Sequence, residues 1–263
     1  MYMNKYTVFR LFWITVFVLL CLGYLLNINA LYVIFIWLFV FVCMVSWASF
    51  DMRLQFFIPT FFKGNLQGKN IALTFDDGPT LYTPQVLDLL EKYNYKATFF
   101  CIGQQIQQHP NIAKQILSKG HSIANHTYTH TNKMGFLSVN EVISEIEQNQ
   151  QIIQQTLQIT PQWFRPPFGV TNPSIAKAIQ QTNLKCIGWN IRSLDTVTQS
   201  PTKIVNRLKR KLKPNGIVLM HDTSEKSVIA LEQLLKEIKL QQYTVVPLSD
   251  LLVQQPYSNE KNN

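Results

Sequence analysis

Ile71-Ala72-Leu73-Thr74-Phe75-Asp76-Asp77-Gly78-Pro79 reads as a short buried strand that ends abruptly in two carboxylates and a turn. A brief apolar run bounded by turn residues is a strand pattern. Adjacent carboxylates after such a strand are costly if crowded and dry. Like charges raise one pKa unless a cation or a hydrogen bond compensates. The pair therefore reads in two ways. One carboxylate holds a metal while its neighbour serves as a base, or the segment is an Asp-Gly-Pro turn capping the next helix.

Working outward, strand-like and helix-like segments alternate. A helix is expected over 83–93, with Val86, Leu87, Leu89 and Leu90 on its apolar side, then a strand over 97–102. A helix over 106–119 stops at Gly120, and a short strand follows over 122–125. The segment 138–157 is the clearest helix. Ser138 and Glu141 form a capping box, and Val142, Ile143, Ile146, Ile153 and Leu157 recur at helical spacing. Strands are expected near Trp163 and over 185–189, 216–220 and 243–246, and helices over 174–182, 202–212 and 225–240. Alternation of this kind predicts an α/β fold with a parallel sheet. About seven units favour a distorted (β/α)7-type barrel over a simple open sheet.

The chain has 263 residues, 47% of them hydrophobic, and a formal net charge of +9. This composition excludes intrinsic disorder, a collagen-like fibre and a disulfide-stapled miniprotein. The distribution is uneven. Residues 11–50 carry no charge, and only Lys5 and Arg10 are charged before Asp51. Two apolar runs, about 9–26 and 31–50, each approach the roughly 20 residues that a membrane-spanning helix needs. Asn27 and Asn29 suggest a tight turn between them, and Tyr24, Tyr32, Trp37 and Trp47 add interfacial aromatics. A cleaved signal peptide would have one shorter apolar region. The expected organisation is a two-span anchor over 1–50, a linker over 51–68 with Phe61 and Phe62 against the bilayer, a catalytic body over 69–255 and a tail over 256–263. Basic residues flank both ends of the anchor, which by the positive-inside rule places both ends in the cytoplasm. A long folded domain, however, can cross regardless of its charge.

In a barrel of this kind, polar groups at the C-terminal ends of strands face the catalytic side. His126 and His130 stand four residues apart, a spacing that can put two imidazoles on one side of a helical turn and onto one metal. Two His and one Asp would leave coordination positions open, as in catalytic sites. Arg165 precedes Pro166 and Pro167, which stiffen its loop, and a guanidinium beside Asp76 would hold that carboxylate ionised. Asp195 could bond His221 and raise its pKa, making it a proton donor. His109 and His121 read as structural. Cys101 and Cys186 read as free core thiols, and no Cys-x-x-Cys spacing exists.

Thr74-Phe75-Asp76-Asp77-Gly78-Pro79, His126-Thr127-Tyr128-Thr129-His130, Arg165-Pro166-Pro167-Phe168-Gly169, the segment ending in Asp195, and Leu219-Met220-His221 occur in that order. Together they resemble the polysaccharide deacetylase family (carbohydrate esterase family 4, the NodB-homology domain), over about residues 69–252. The resemblance implies a distorted (β/α) barrel that removes acetyl groups from N-acetylglucosamine polymers such as peptidoglycan or chitin. It implies Asp77, His126 and His130 as ligands of one divalent metal, zinc foremost. Asp76 would be the general base and His221 the general acid. Arg165 would orient Asp76, Asp195 would tune His221, and the Phe168 N–H would help hold the oxyanion, with Pro167 and Leu219 near the substrate. The chemistry agrees, since hydrolysing an amide needs a strong nucleophile, an oxyanion stabiliser and an acid for the amine. The sequence departs from the family around the fourth motif, where Thr196 and Arg192 stand in place of a frequent aromatic and a frequent acid.

The expected partners are an acetylated polysaccharide and, through the N-terminal helices, the lipid bilayer. The body's basic residues are scattered, with Lys209, Arg210 and Lys211 the densest group, and imply no nucleic acid. An O-acetyl esterase would use the same site. A two-His-one-carboxylate Fe(II) oxygenase would leave Asp76, Arg165 and His221 without roles. A silent glycan-binding module on an anchor would not need the full set. Because the polymers lie outside the cell, the expected location is the cytoplasmic membrane with the body extracytoplasmic.

Overall fold

A computed structural model describes residues 5–25 and 31–257. Two helices come first, α1 (Lys5–Leu25) and α2 (Leu31–Phe50), each long and apolar enough to cross a membrane. The expected Asn-containing turn at 27–30 and most of the expected tail lie outside the described residues. The two helices are zipped by aromatic rings: Phe9 stacks on Phe41 at 5.8 Å and Phe17 on Trp37 at 5.1 Å. Otherwise α1 and α2 turn their apolar side chains outward, and among the described residues of both only Ala48 is buried.

The body follows the expected alternation. In chain order it contains β1 (Thr60–Phe61), β2 (Asn70–Asp76), α3 (Thr83–Lys92), β3 (Ala97–Cys101), α4 (Gly103–Gln108) and α5 (Pro110–Ser118). Then come β4 (Ser122–Asn125), α6 (Val139–Leu157), β5 (Trp163–Phe164), α7 (Pro173–Gln181), β6 (Lys185–Ile187) and β7 (Ile191–Arg192). The chain continues through α8 (Pro201–Lys211), β8 (Gly216–His221), α9 (Glu225–Leu240), β9 (Thr244–Val245) and α10 (Leu248–Leu252). Every strand pair is parallel, in the order β1-β6-β5-β4-β3-β2-β8-β7, with β9 also on β2. The sheet curls into a half-barrel. Among the described residues β1 and β7 do not pair, so the barrel stays open between them. Helices cover its outside through an apolar layer that includes Phe75 stacked on Phe99 at 5.1 Å. Each such ring taken out of water contributes about 1.5–3 kcal/mol.

The register sets up the site. Asp76 at the end of β2 lies opposite Phe100 on β3 and His221 on β8, so the first and fifth motifs emerge side by side. The capping box forms as expected: Ser138 N–H donates to Glu141 Oε2 at 2.7 Å, and Glu141 N–H to Ser138 Oγ at 3.4 Å.

Three local expectations differ from the structure. The helix expected over 106–119 is two helices, because Pro110 has no N–H to continue the first and instead starts the second. The segment expected as a linker over 51–68 is folded into the body. Met52, Phe57 and Ile58 are buried, β1 pairs with β6, and Phe61 and Phe62 are half-buried rather than laid out for a bilayer. Gly68 bends the chain at φ 90°, and the apolar residues of the segment pack inward. The segment carrying His126 and His130 is an irregular loop rather than a helical turn, with Thr127 and His130 at positive φ (66° and 53°).

Candidate active site

Asp76 and Asp77 are neighbours with separate surroundings. Asp76 completes β2 and is buried, 3% exposed, whereas Asp77 leaves the strand at φ 74°. Left-handed backbone at a non-glycine residue costs of order 1–3 kcal/mol and clusters at functional sites. Here it turns the second carboxylate away from the first and onto the rim.

Asp76 Oδ1 accepts from Arg165 Nη1 at 2.6 Å. The guanidinium is wholly buried and makes three further hydrogen bonds. Nη1 also reaches Thr74 Oγ1 at 3.0 Å, Nε the Ile187 carbonyl at 3.1 Å and Nη2 the Gly188 carbonyl at 3.0 Å. Its carbon lies 3.9 Å above the Phe100 ring and 5.5 Å from Trp189. Arg165 is therefore aimed by four hydrogen-bond acceptors and two aromatic rings.

Asp77, His126 and His130 form the second group. Each offers one ligand atom, and the three lie within 4.8 Å of one another. Asp77 Oδ1 is 3.3 Å from Nε2 of both histidines, yet it is buried without a hydrogen-bond partner. The His126 tautomer explains why. Its Nδ1 lies 2.6 Å from the Arg165 carbonyl, which can only accept, so Nδ1 carries the proton and Nε2 presents a lone pair. Burial, with the neighbouring His126 ring, pushes the His130 pKa down to about 4, so its ring is neutral at pH 7. Burial opposes ionisation of Asp77, but its three neighbours His126, His221 and His130 outweigh it and hold its carboxyl well below the usual range. Electron pairs converging with no proton between them fit a cation.

The third group is His221 with Asp195. His221 Nδ1 is 2.7 Å from Asp195 Oδ1, and its backbone N–H donates to Oδ2 at 2.8 Å. Asp195 is fully buried and also accepts from Ser193 Oγ at 2.6 Å and Ser227 Oγ at 3.0 Å. Burial alone would lower the His221 pKa. The Asp195 hydrogen bond and charge, with Asp77 and Asp76 beyond, raise it instead to about 9. His221 is thus an imidazolium at neutral pH. Its Nε2 faces Asp77 Oδ2 at 3.8 Å.

Of the three further positions expected at the substrate, Phe168 is open, 46% exposed, with its ring centroid 4.8 Å from that of His130. It stands at φ 59° in a turn closed by Gly169 N–H to Pro166 O and Val170 N–H to Pro167 O, neither of which uses the Phe168 N–H. Pro167 and Leu219 are buried. Thr196 and Arg192 are both exposed at the edge of the cleft.

Sequence reading missed the supports. Glu145 on α6 accepts from the Tyr128 and Thr129 backbones at 3.2 and 2.8 Å and from the Thr129 hydroxyl at 2.7 Å, tying down the histidine loop. Asn149 links the Cys101 carbonyl to Asn125 beneath it at 2.9 and 3.1 Å. Asp222, pushed up to about 7 by burial, takes the Thr83 hydroxyl and fills the space where a Cβ on Gly78 would sit. One signal was available for Asn149: it is a buried polar residue on the apolar stripe of α6. Glu145 and Asp222 gave none.

The comparisons with known proteins agree with this geometry. The family model described as polysaccharide deacetylase matches residues 63–187. A peptidoglycan-N-acetylglucosamine deacetylase of Bacillus cereus is 37% identical over 190 residues, 70% of this chain and 88% of the relative. The chain belongs to the polysaccharide deacetylase family. Relatives in this family are hydrolases of carbon–nitrogen bonds other than peptide bonds. A second B. cereus peptidoglycan-N-acetylglucosamine deacetylase is 33% identical over 183 residues, 68% of this chain, and the chain spans 66% of its length. The crystal structure of the Bc1960 peptidoglycan N-acetylglucosamine deacetylase superposes with a TM-score of 0.71 at 30% identity, covering 75% of this chain and 94% of that one. The polysaccharide deacetylase fold thus accounts for the half-barrel, and α1 and α2 stand before the stretch that the family model matches.

Proposed function

We propose that this polysaccharide deacetylase family member is a membrane-anchored, metal-dependent N-deacetylase of acetylated amino-sugar glycans. The observation that carries the reading is the convergence of three lone-pair donors between a guanidinium-held carboxylate and a carboxylate-held imidazolium. In the reaction, water adds to the acetyl carbonyl, the C–N bond breaks, and acetate and a free amine leave. Asp77, His126 and His130 would hold the ion. When bound, a divalent metal acidifies water and polarises a carbonyl, lowering the water pKa from about 15.7 toward 7. Asp76, oriented by Arg165, takes the proton of the attacking water. His221 delivers its Nε2 proton to the departing nitrogen. The Phe168 N–H faces the developing oxyanion. The acid and the base would each contribute about 10²–10⁴-fold.

The test is acetate release from matched N-acetylated and O-acetylated glycans, with chelator and after zinc is restored. Release from the N-acetyl substrate, lost with chelator and regained with zinc, is the expected result. Release confined to the O-acetyl substrate would replace the reading with an esterase. Release from neither would leave a glycan-binding module. The relatives' peptidoglycan substrates support an extracytoplasmic body, and protease access in spheroplasts checks the side.

Two further outcomes follow from the supports. Asp195→Asn removes the anion that raises His221, so the alkaline limb of the kcat/KM profile is expected to move from about 9 toward the ordinary 6.5. The linkage has a definite sign. Because the folded pKa is raised, the stabilisation from this pair is complete below about 6.5 and is lost as pH climbs through about 9. An unmoved alkaline limb would remove His221 from the acid role. Glu145→Ala should loosen the histidine loop and weaken zinc binding roughly 10–100-fold, measured by competition with a chromophoric chelator.

A further inference from the structure

The end of α2 is joined to the active-site loop. Thr171 N–H, two residues beyond Gly169, donates to the Ser49 carbonyl at 2.8 Å, and Ala48 is buried in one cluster with Val170 and Ile175. With residues 51–68 folded into the body, no free tether separates anchor from cleft. A cleft held this way stays at the bilayer surface and cannot range outward into a thick polymer.

Two cavities flank that junction. The first, about 460 Å³, lies between the last turns of α2 and the active-site loops and is lined by Val45, Phe50, Gly135, Phe136, Phe168 and Val170. Phe136 is 93% exposed and Phe50 67% exposed. Phe168 forms its inner wall and touches the His130 ring, so this apolar groove runs from the last turn of the anchor to the proposed metal ligands. A lipid chain buries more apolar area on such a surface than a free, water-soluble glycan does, and exposed apolar patches mark membrane or ligand contacts. The second cavity, about 390 Å³, shares Phe50 and is lined by Trp47, Arg53, Trp189, Arg192, Arg207 and Lys211. Arg53 is paired with Asp51, but Arg192, Arg207 and Lys211 have no acidic partner among the described residues. Trp189 lies 5.5 Å from the Arg165 guanidinium and would meet a Cβ on Gly169, so this basic cavity also adjoins the catalytic loop. Arg207 Nε donates to the Arg192 carbonyl at 2.9 Å and the Asp51 carboxylate also lines the cavity, but two guanidinium groups without an acidic partner beside an ammonium suit a phosphate.

Resting on the proposed deacetylase activity, we infer that the substrate is an acetylated amino sugar joined through a phosphate ester to a membrane lipid. The sugar enters the cleft, the lipid chain lies in the groove along α2, and the phosphate sits on Arg192, Arg207 and Lys211. Arg192, a departure from the family pattern, then has a role as an anion contact.

The experiment uses the full chain in neutral-detergent micelles and three substrates carrying the same N-acetylated disaccharide: free, on a neutral alkyl chain, and on a prenyl phosphate. KM is expected to fall about tenfold or more from the free to the prenyl-phosphate form, corresponding to one or more added contacts, with the neutral alkyl form between. Phe136→Ser and the pair Arg207→Gln with Lys211→Gln should raise KM for the prenyl-phosphate form and leave release from the free disaccharide unchanged. Equal kcat/KM for all three substrates would overturn the inference while leaving the deacetylase reading intact. So would acceleration of the free disaccharide by plain anionic phospholipid, which would make the cavities a general lipid site. Release from none of the three would overturn both.

Discussion

Asp77→Ala is expected to lower kcat for acetate release by about 10³-fold and to abolish recovery by zinc after chelation. A metal at this position supplies several kcal/mol of transition-state stabilisation, and each 1.36 kcal/mol is worth tenfold in rate. Asp77 is the central donor of its group, 3.3 Å from both histidine nitrogens. Removing it leaves two imidazoles on a loop still tied to the Arg165 carbonyl, Glu145 and Asn125. Zinc binding measured alongside acetate release separates a lost ligand from a collapsed fold, because β2 is held by its ladders to β3 and β8. Wild-type zinc affinity with unchanged turnover would sink the metal-centred mechanism. Asp76→Asn should behave differently: zinc binds normally while kcat falls by about 10²–10⁴-fold, the contribution of a general base.

Arg165→Met is expected to produce the largest loss of stability, about 3–5 kcal/mol, because it strands a buried carboxylate without its counter-charge. It also leaves the Ile187 and Gly188 carbonyls without their guanidinium donors. For a body of this size the melting temperature should drop by roughly 10 °C, read as a thermal melt of the protein in detergent. Arg165→Lys should recover little, since one ammonium cannot reproduce a planar fork aimed at several acceptors. The double change Arg165→Met with Asp76→Leu should melt above Arg165→Met alone, because no uncompensated charge remains. A double variant no more stable than the single one would mean that Arg165 stabilises through packing on Phe100 and Trp189 rather than through Asp76.

Much of this was legible in the chain because the informative features are local. The capping box of Ser138 and Glu141, the apolar stripe of α6 and the strand that ends at Asp76 each depend on neighbours within a few residues. The break at Pro110 was legible too, although the apolar spacing over 106–119 obscured it. The folding of 51–68 into the body was not, because composition counted its Pro and Gly residues while burial depended on what Met52, Phe57 and Ile58 would meet.

The sequence by itself determined the two apolar helices, the alternation of strands and helices, and the residue types that carry the chemistry, since periodicity, charge and motif spacing are properties of the linear chain. Only the tertiary structure decided how those residues meet. The β2–β8 register brings Asp76 beside His221, 145 positions later. The left-handed turn at Asp77 separates two adjacent carboxylates. The bond from Thr171 to Ser49 sets the end of α2 against the loop that carries Phe168. Each of these depends on which distant segments share a boundary in space, and no spacing along the chain encodes that.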